Sequence, residues 1–140
     1  MTRVPIEGGD PVHITDYTSG GPVVSPDGKQ IACGYFETKS GAWKAVIIPI
    51  EGGQPVKTFD INIWPLRLRW TSDGRALTYV QTRAGVSNIW SQPVDGGKPV
   101  QLTDFKSDQI PYFDWSLDGK QLVVARSAVA SDVVLITQSR

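Results

Sequence analysis

An eight-residue motif returns twice along this chain at a fixed distance, and that spacing limits the fold more than any other feature. Pro5-Ile6-Glu7-Gly8-Gly9-Asp10-Pro11-Val12 recurs as Pro49-Ile50-Glu51-Gly52-Gly53-Gln54-Pro55-Val56, and again as Pro93-Val94-Asp95-Gly96-Gly97-Lys98-Pro99-Val100. Both offsets are 44 residues. A second marker falls between the copies: Ser25-Pro26-Asp27-Gly28-Lys29, then Thr71-Ser72-Asp73-Gly74-Arg75, then Ser116-Leu117-Asp118-Gly119-Lys120, at offsets of 46 and 45. The drift is confined to connections. The stretches Asp16 to Ser25, Asp60 to Thr71 and Asp104 to Ser116 lengthen from 9 to 11 to 12 positions. Those from Ser25 to Lys44, Thr71 to Asn88 and Ser116 to Asp132 shorten from 19 to 17 to 16, so the period holds. Self-similarity of this kind means one supersecondary unit stacked on copies of itself.

Each period holds four short runs of strand character. In the second they are Leu66 to Thr71, Ala76 to Gln81, Asn88 to Val94 and Lys98 to Thr103, rich in Val, Ile, Leu, Tyr, Trp and Thr and bounded by Gly, Pro, Asp and Ser. No stretch sustains helical periodicity. Four strands in about 40–45 residues is the pattern of a β-propeller blade. The turn chemistry agrees. In Ser-Pro-Asp-Gly the proline fixes φ and the glycine takes positive φ; Gly-Gly closes the other hairpin tightly. These turns join the first strand to the second and the third to the fourth, so they share one end of the blade, and the remaining loops share the other.

The expected architecture is all-β, with 11 to 13 strands and no helix longer than one turn. It forms a single partial propeller domain over 1–140, made of three four-stranded blades, about half of a six-bladed ring. Blade boundaries fall near 16–59, 60–103 and 104–140, with a closing strand at 10–15. The third blade reads only as far as a third strand, Asp132 to Thr137, and the lone strand at 10–15 is a fourth strand without its blade. Two copies, or missing blades of a longer chain, would complete the ring. We expect self-association as a homodimer, with the strand of one copy completing the last blade of the other.

The order of Ser-Pro-Asp-Gly-Lys, apolar strand, Asn88-Ile89-Trp90-like strand, Asp/Glu-Gly-Gly-x-Pro and Leu102-Thr103 resembles the WD-like blades of the TolB propeller. Similar blades accompany prolyl-oligopeptidase-type peptidases and some bacterial serine/threonine kinases. The resemblance spans essentially the whole chain. It implies a ring of six or more blades and, as one option, a bacterial, periplasmic or other extracytoplasmic setting. Ser72 and Leu117 stand where such blades often carry proline, and Phe59 replaces the threonine found at Thr15 and Thr103.

Composition removes several function classes. Lys plus Arg and Asp plus Glu are 14 each, for zero formal net charge, which argues against a general nucleic-acid binder. One cysteine, Cys33, and one histidine, His13, allow neither an internal disulfide nor a Cys/His metal cluster. No run of about 18 apolar residues suggests a membrane span, and Met1 to Pro5 lacks the apolar core of a signal peptide. No nucleophile elbow or phosphate loop occurs. We therefore expect a non-catalytic chain with no cofactor and no metal.

Strand alternation assigns Val24, Trp70, Trp115, Pro22, Leu68 and Phe113 to packing between blades. The intervening positions of the first strands line the central channel: Arg67, Arg69, Tyr112 and Asp114, with Arg69 and Asp114 level on neighbouring blades. Asp27, Asp73 and Asp118 lie in separate blades and serve their turns. His13 corresponds to Lys57 and Gln101 and lies on the solvent side of a strand. At the loop end Tyr17, Ile61 and Phe105 are equivalent and tuck inward, whereas Trp64 has no equivalent. Trp64, Phe105, Lys106 and Arg83 are the expected contact residues for a protein or peptide, since Trp and Arg anchor interfaces. The preferred function is an interaction or scaffold module. The alternative is an accessory half-propeller that positions substrate for a hydrolase or kinase domain absent from this chain.

Overall fold

The structure, a computed structural model, describes residues 1–63 and 67–128. It holds twelve strands among the described residues, all pairings antiparallel, and no helix. Strands β1 (Thr2–Arg3) and β2 (Val12–His13) form a two-stranded pair. The first four-stranded sheet runs in sequence order through β3 (Ser19–Val24), β4 (Gln30–Glu37), β5 (Ala42–Pro49) and β6 (Lys57–Asn62). The second repeats that order through β7 (Leu68–Trp70), β8 (Ala76–Arg83), β9 (Val86–Pro93) and β10 (Val100–Gln101). The third contributes β11 (Gln109–Trp115) and β12 (Leu122–Ser127). The expected strand at Asp132 to Thr137 lies outside the described residues.

The Ser/Thr-x-Asp-Gly turn is built alike three times. In the first, the Ser25 hydroxyl donates to Asp27 Oδ1 at 2.6 Å and accepts from the Gln30 amide at 2.9 Å, while the Lys29 amide donates to Asp27 Oδ1 at 3.1 Å. Thr71 with Asp73 and Ser116 with Asp118 reproduce every one of these bonds. The glycines sit at φ of 72°, 68° and 67°, where a side chain costs energy. The opening hydroxyl, Ser or Thr alike, completes the turn, so the proline is dispensable and Ser72 and Leu117 are accommodated.

Sheets stack face on face because alternate residues of each inner strand point to opposite neighbours. In β4 and β5, Ile31, Cys33, Val46 and Ile48 face back and enclose Ile14, while Ala32, Ala45 and Ile47 face forward onto Leu68, Trp70, Leu77 and Tyr79 of the second sheet. Val80 and Ile89 then meet Ile110 and Phe113 of the third. Each later sheet also sends an indole N–H backwards: Trp70 Nε1 donates to the Val23 carbonyl at 3.1 Å and Trp115 Nε1 to Thr78 Oγ1 at 3.0 Å. Cys33 is fully buried, and desolvation pushes its thiol up to about 11.

Two features differ from the sequence reading. The N-terminal strand is not alone: β1 pairs with β2 across the first Gly-Gly hairpin, so the chain opens with the third and fourth strands of a blade. Thr2–Arg3 is too short and polar to show alternation, and only the demand of that hairpin for a partner on both sides betrays it. Val24 and Pro22 are exposed rather than packed. Val24 pairs with Ile31 as Trp70 pairs with Leu77, so its register is the expected one. Among the described residues, however, no first or second strand precedes it to cover that face.

Candidate functional site

The loop end gathers residues from two connections of the second sheet. Arg83 ends β8 at the β8–β9 turn, and the segment after β10 carries Phe105 and Lys106. These three line one pocket of about 260 Å³ together with Trp90 and Asn88 of β9. The Arg83 guanidinium lies over the Trp90 ring, 5.5 Å from its centroid, a cation–π arrangement. Trp64 lies outside the described residues. Tyr17, Ile61 and Phe105 are all half-buried, and Ile61 and Phe105 pack onto the sheet cores.

Asn88 fixes the far wall of the pocket. Its Oδ1 accepts from the Phe105 amide at 2.7 Å and from Thr103 Oγ1 at 2.9 Å, and its Nδ2 donates to the Phe105 carbonyl at 3.2 Å. Thr103 Oγ1 in turn accepts from the Ile89 amide at 2.9 Å. Phe105 is held again from outside by Arg126, whose guanidinium sits 4.2 Å from the ring centroid and pairs with Asp108 at 3.0 Å. In the first sheet Phe59 stands in place of this threonine, as the sequence suggests, and Lys44 in place of Asn88. There Lys44 instead links the end of β4 to β6, meeting Glu37 at 3.1 Å and Asp60 at 3.6 Å. Bonding to Glu37 raises the Lys44 ammonium, while bonds from Ser40 and then Lys44 lower the Glu37 carboxyl. Trp90, Asn88 and Arg126 escaped the sequence reading as site residues. The first two were visible only as members of the repeat, and Arg126 carries no signal of its own.

Among the residues expected to line a channel, Arg69 Nε meets Asp114 Oδ1 at 3.2 Å between the second and third sheets. Arg67 donates to the Ile110 carbonyl at 3.1 Å and lies 5.5 Å from the centroid of the Tyr112 ring. Arg69 also sits 5.9 Å from the centre of Phe113. His13 is exposed and reaches Asp16 at 3.0 Å. The turn carboxylates are each consumed by their own turn, and no group of three or more potential metal ligands occurs among the described residues. No helix among them is long and apolar enough to cross a membrane.

No protein-family model matches the chain. No curated protein matches it either. Solved structures do. A protein assigned as TolB from Agrobacterium tumefaciens superposes with a TM-score of 0.68 and 24% identity, over 91% of this chain and 50% of that one. TolB from Acinetobacter baumannii gives 0.68 and 22%, over 88% of this chain and 30% of that one. The chain thus spans half the length of the first and less than a third of the second. Repeated antiparallel sheets stacked face on face, matched over nine-tenths of the chain, make this a partial β-propeller of the TolB-like fold.

Proposed function

We propose that the chain is a non-catalytic interaction module that holds a protein or peptide at the loop end of its second sheet. The observation that carries this reading is the convergence of Arg83, Phe105 and Lys106 with Trp90 around one pocket. Large aromatics beside an arginine are the composition of binding hot spots, and loops on a rigid scaffold are where repeat proteins put recognition. The test is a random-peptide selection on the intact chain, with each selected peptide then titrated against Arg83→Ala/Lys106→Ala. Both side chains are exposed, so the variant keeps its fold. Loss of about tenfold or more in affinity supports the reading, since an arginine anchor is worth about 1–2 kcal/mol or more. Peptides that bind both proteins equally, or a selection that returns none, overturn it.

Self-association is the second part of the proposal, and two features favour it. The N-terminal pair β1–β2 has the form of the outer half of a blade, and β11–β12 that of the inner half. The outward face of the third sheet also leaves Val123 67% exposed, and Leu117 in its turn is entirely exposed. We propose that these surfaces meet in a homodimer or receive further blades of a longer chain.

A further inference from the structure

We infer that the Arg83–Trp90–Phe105 pocket selects an acidic side chain flanked by an apolar one, presented within a peptide segment. The inference rests on the interaction-module reading and adds the chemistry of the partner. Charge bookkeeping around the pocket leads to it. Arg126, against Phe105, is paired with Asp108 and Lys106 with Asp104. Among the described residues Arg83 forms no ion pair, and its guanidinium lies over the Trp90 ring. No acidic residue lines the pocket. The Lys106–Asp104 pair is exposed on both sides, so it is worth little and yields readily to a competing carboxylate.

The geometry suits a carboxylate with an apolar neighbour. A guanidinium offers its planar fork of donors to a carboxylate, and the ring beneath Arg83 restricts where that fork can point. Trp90 and Phe105 supply apolar surface beside it. The Asn88 bonds fix the Phe105 backbone, so the wall exists before any ligand arrives and little ordering is lost on binding. A basic segment would meet Arg83 and Lys106 head on, and a purely apolar one would leave the arginine unanswered.

The probe is an N-acetylated, C-amidated peptide of four Gly-Leu-Glu units, compared with its Gly-Leu-Gln and Gly-Leu-Lys counterparts. Binding to the intact chain is read by heteronuclear NMR titration at low salt. The Glu peptide is expected to bind about tenfold tighter than the Gln peptide, as a charged hydrogen-bonded pair gives, with shifts at Arg83, Trp90 and Phe105 and none with the Lys peptide. Arg83→Gln is expected to remove the preference, and rising salt to weaken it. Equal affinity for the Glu and Gln peptides overturns the acidic selectivity, as does an undiminished preference in Arg83→Gln. A single-stranded oligonucleotide that displaces the Glu peptide also overturns it. None of these outcomes touches the broader reading, which stands or falls on the unbiased selection.

Discussion

At the scale of single residues, one hydroxyl in each repeat does more than its sequence prominence suggests. Ser25, Thr71 and Ser116 each donate to the turn aspartate and accept from the amide five residues on. The hydroxyl bond is the largest cause holding Asp27, Asp73 and Asp118 below the ordinary carboxylate value of 3.8, with the amide of Lys29, Arg75 or Lys120 second. A carboxyl depressed in the folded state stabilises the fold above its unfolded pKa, and that contribution is lost as pH falls through the folded value. The chain is therefore expected to lose thermal stability below about pH 4, and Ser116→Ala to move the Asp118 titration up toward 3.8. Carboxyl chemical shifts followed by NMR from pH 2 to 6 would check this; an Asp118 midpoint unmoved by the substitution would count against it. The aspartate and glycine of this turn were legible in the sequence because few residues tolerate those conformations. The hydroxyl was equally visible, but its role needed the distances. The reverse holds for Asn88 and Trp90: their types mattered less than their register on β9, which sets Trp90 opposite Tyr79 and Gln101 and turns it toward Arg83.

At the scale of elements, the turns of successive sheets touch one another, and three equivalent glycines measure that contact. Gly28, Gly74 and Gly119 share nearly the same φ, so the intrinsic penalty for alanine is about 1–2 kcal/mol at each. Their surroundings differ. A methyl group on Gly28 would meet nothing within 4 Å, and one on Gly74 would rest 3.7 Å from Pro26. On Gly119 it would lie 2.0 Å from Ser72 Oγ and 2.8 Å from Ser72 Cβ. Gly119→Ala should thus destabilise more than Gly28→Ala by about 1–2 kcal/mol, the usual overpacking cost, and Ser72→Gly should remove that excess. Urea denaturation of the two single variants and the Gly119→Ala/Ser72→Gly pair gives the coupling directly. Equal costs at positions 28 and 119 would mean that the turns do not bear on one another. Strands of eight residues such as β4, β5, β8 and β9 were easy to read because alternation has room to show. β1, at two residues, was not, and its existence followed only from the hairpin it must close.

At the scale of the molecule, the same contact predicts what the outer sheets lack. Pro26 touches the turn glycine of the second sheet and Ser72 that of the third. Leu117 holds the equivalent place in the third sheet, entirely exposed, with Val123 two-thirds exposed on the same sheet. At the other side Val24 is 56% exposed where its counterpart Trp70 is buried. The repeat made the partial propeller legible, because each 44-residue period reads as one blade. What fills the remainder was not legible, since the sequence carries the contact residues and not their partner. Exposed apolar faces of this kind mark interfaces, and a twofold axis would bring the end carrying Leu117 and Val123 against the end carrying Val24 twice over. The strand at Asp10 to Thr15 would then enter as part of the β1–β2 pair, beside the inner strands of the partner's last blade. The chain is expected to sediment as a dimer at micromolar concentration. Leu117→Glu/Val123→Glu should shift it to monomer without altering its far-ultraviolet circular dichroism, because both side chains already lie in solvent within one copy. If the unaltered chain stays monomeric on concentration and shows no aggregation, its outer faces are tolerated as they stand and the ring-closure argument fails. If it is dimeric and the double variant is equally so, association runs through another surface and the argument fails there too.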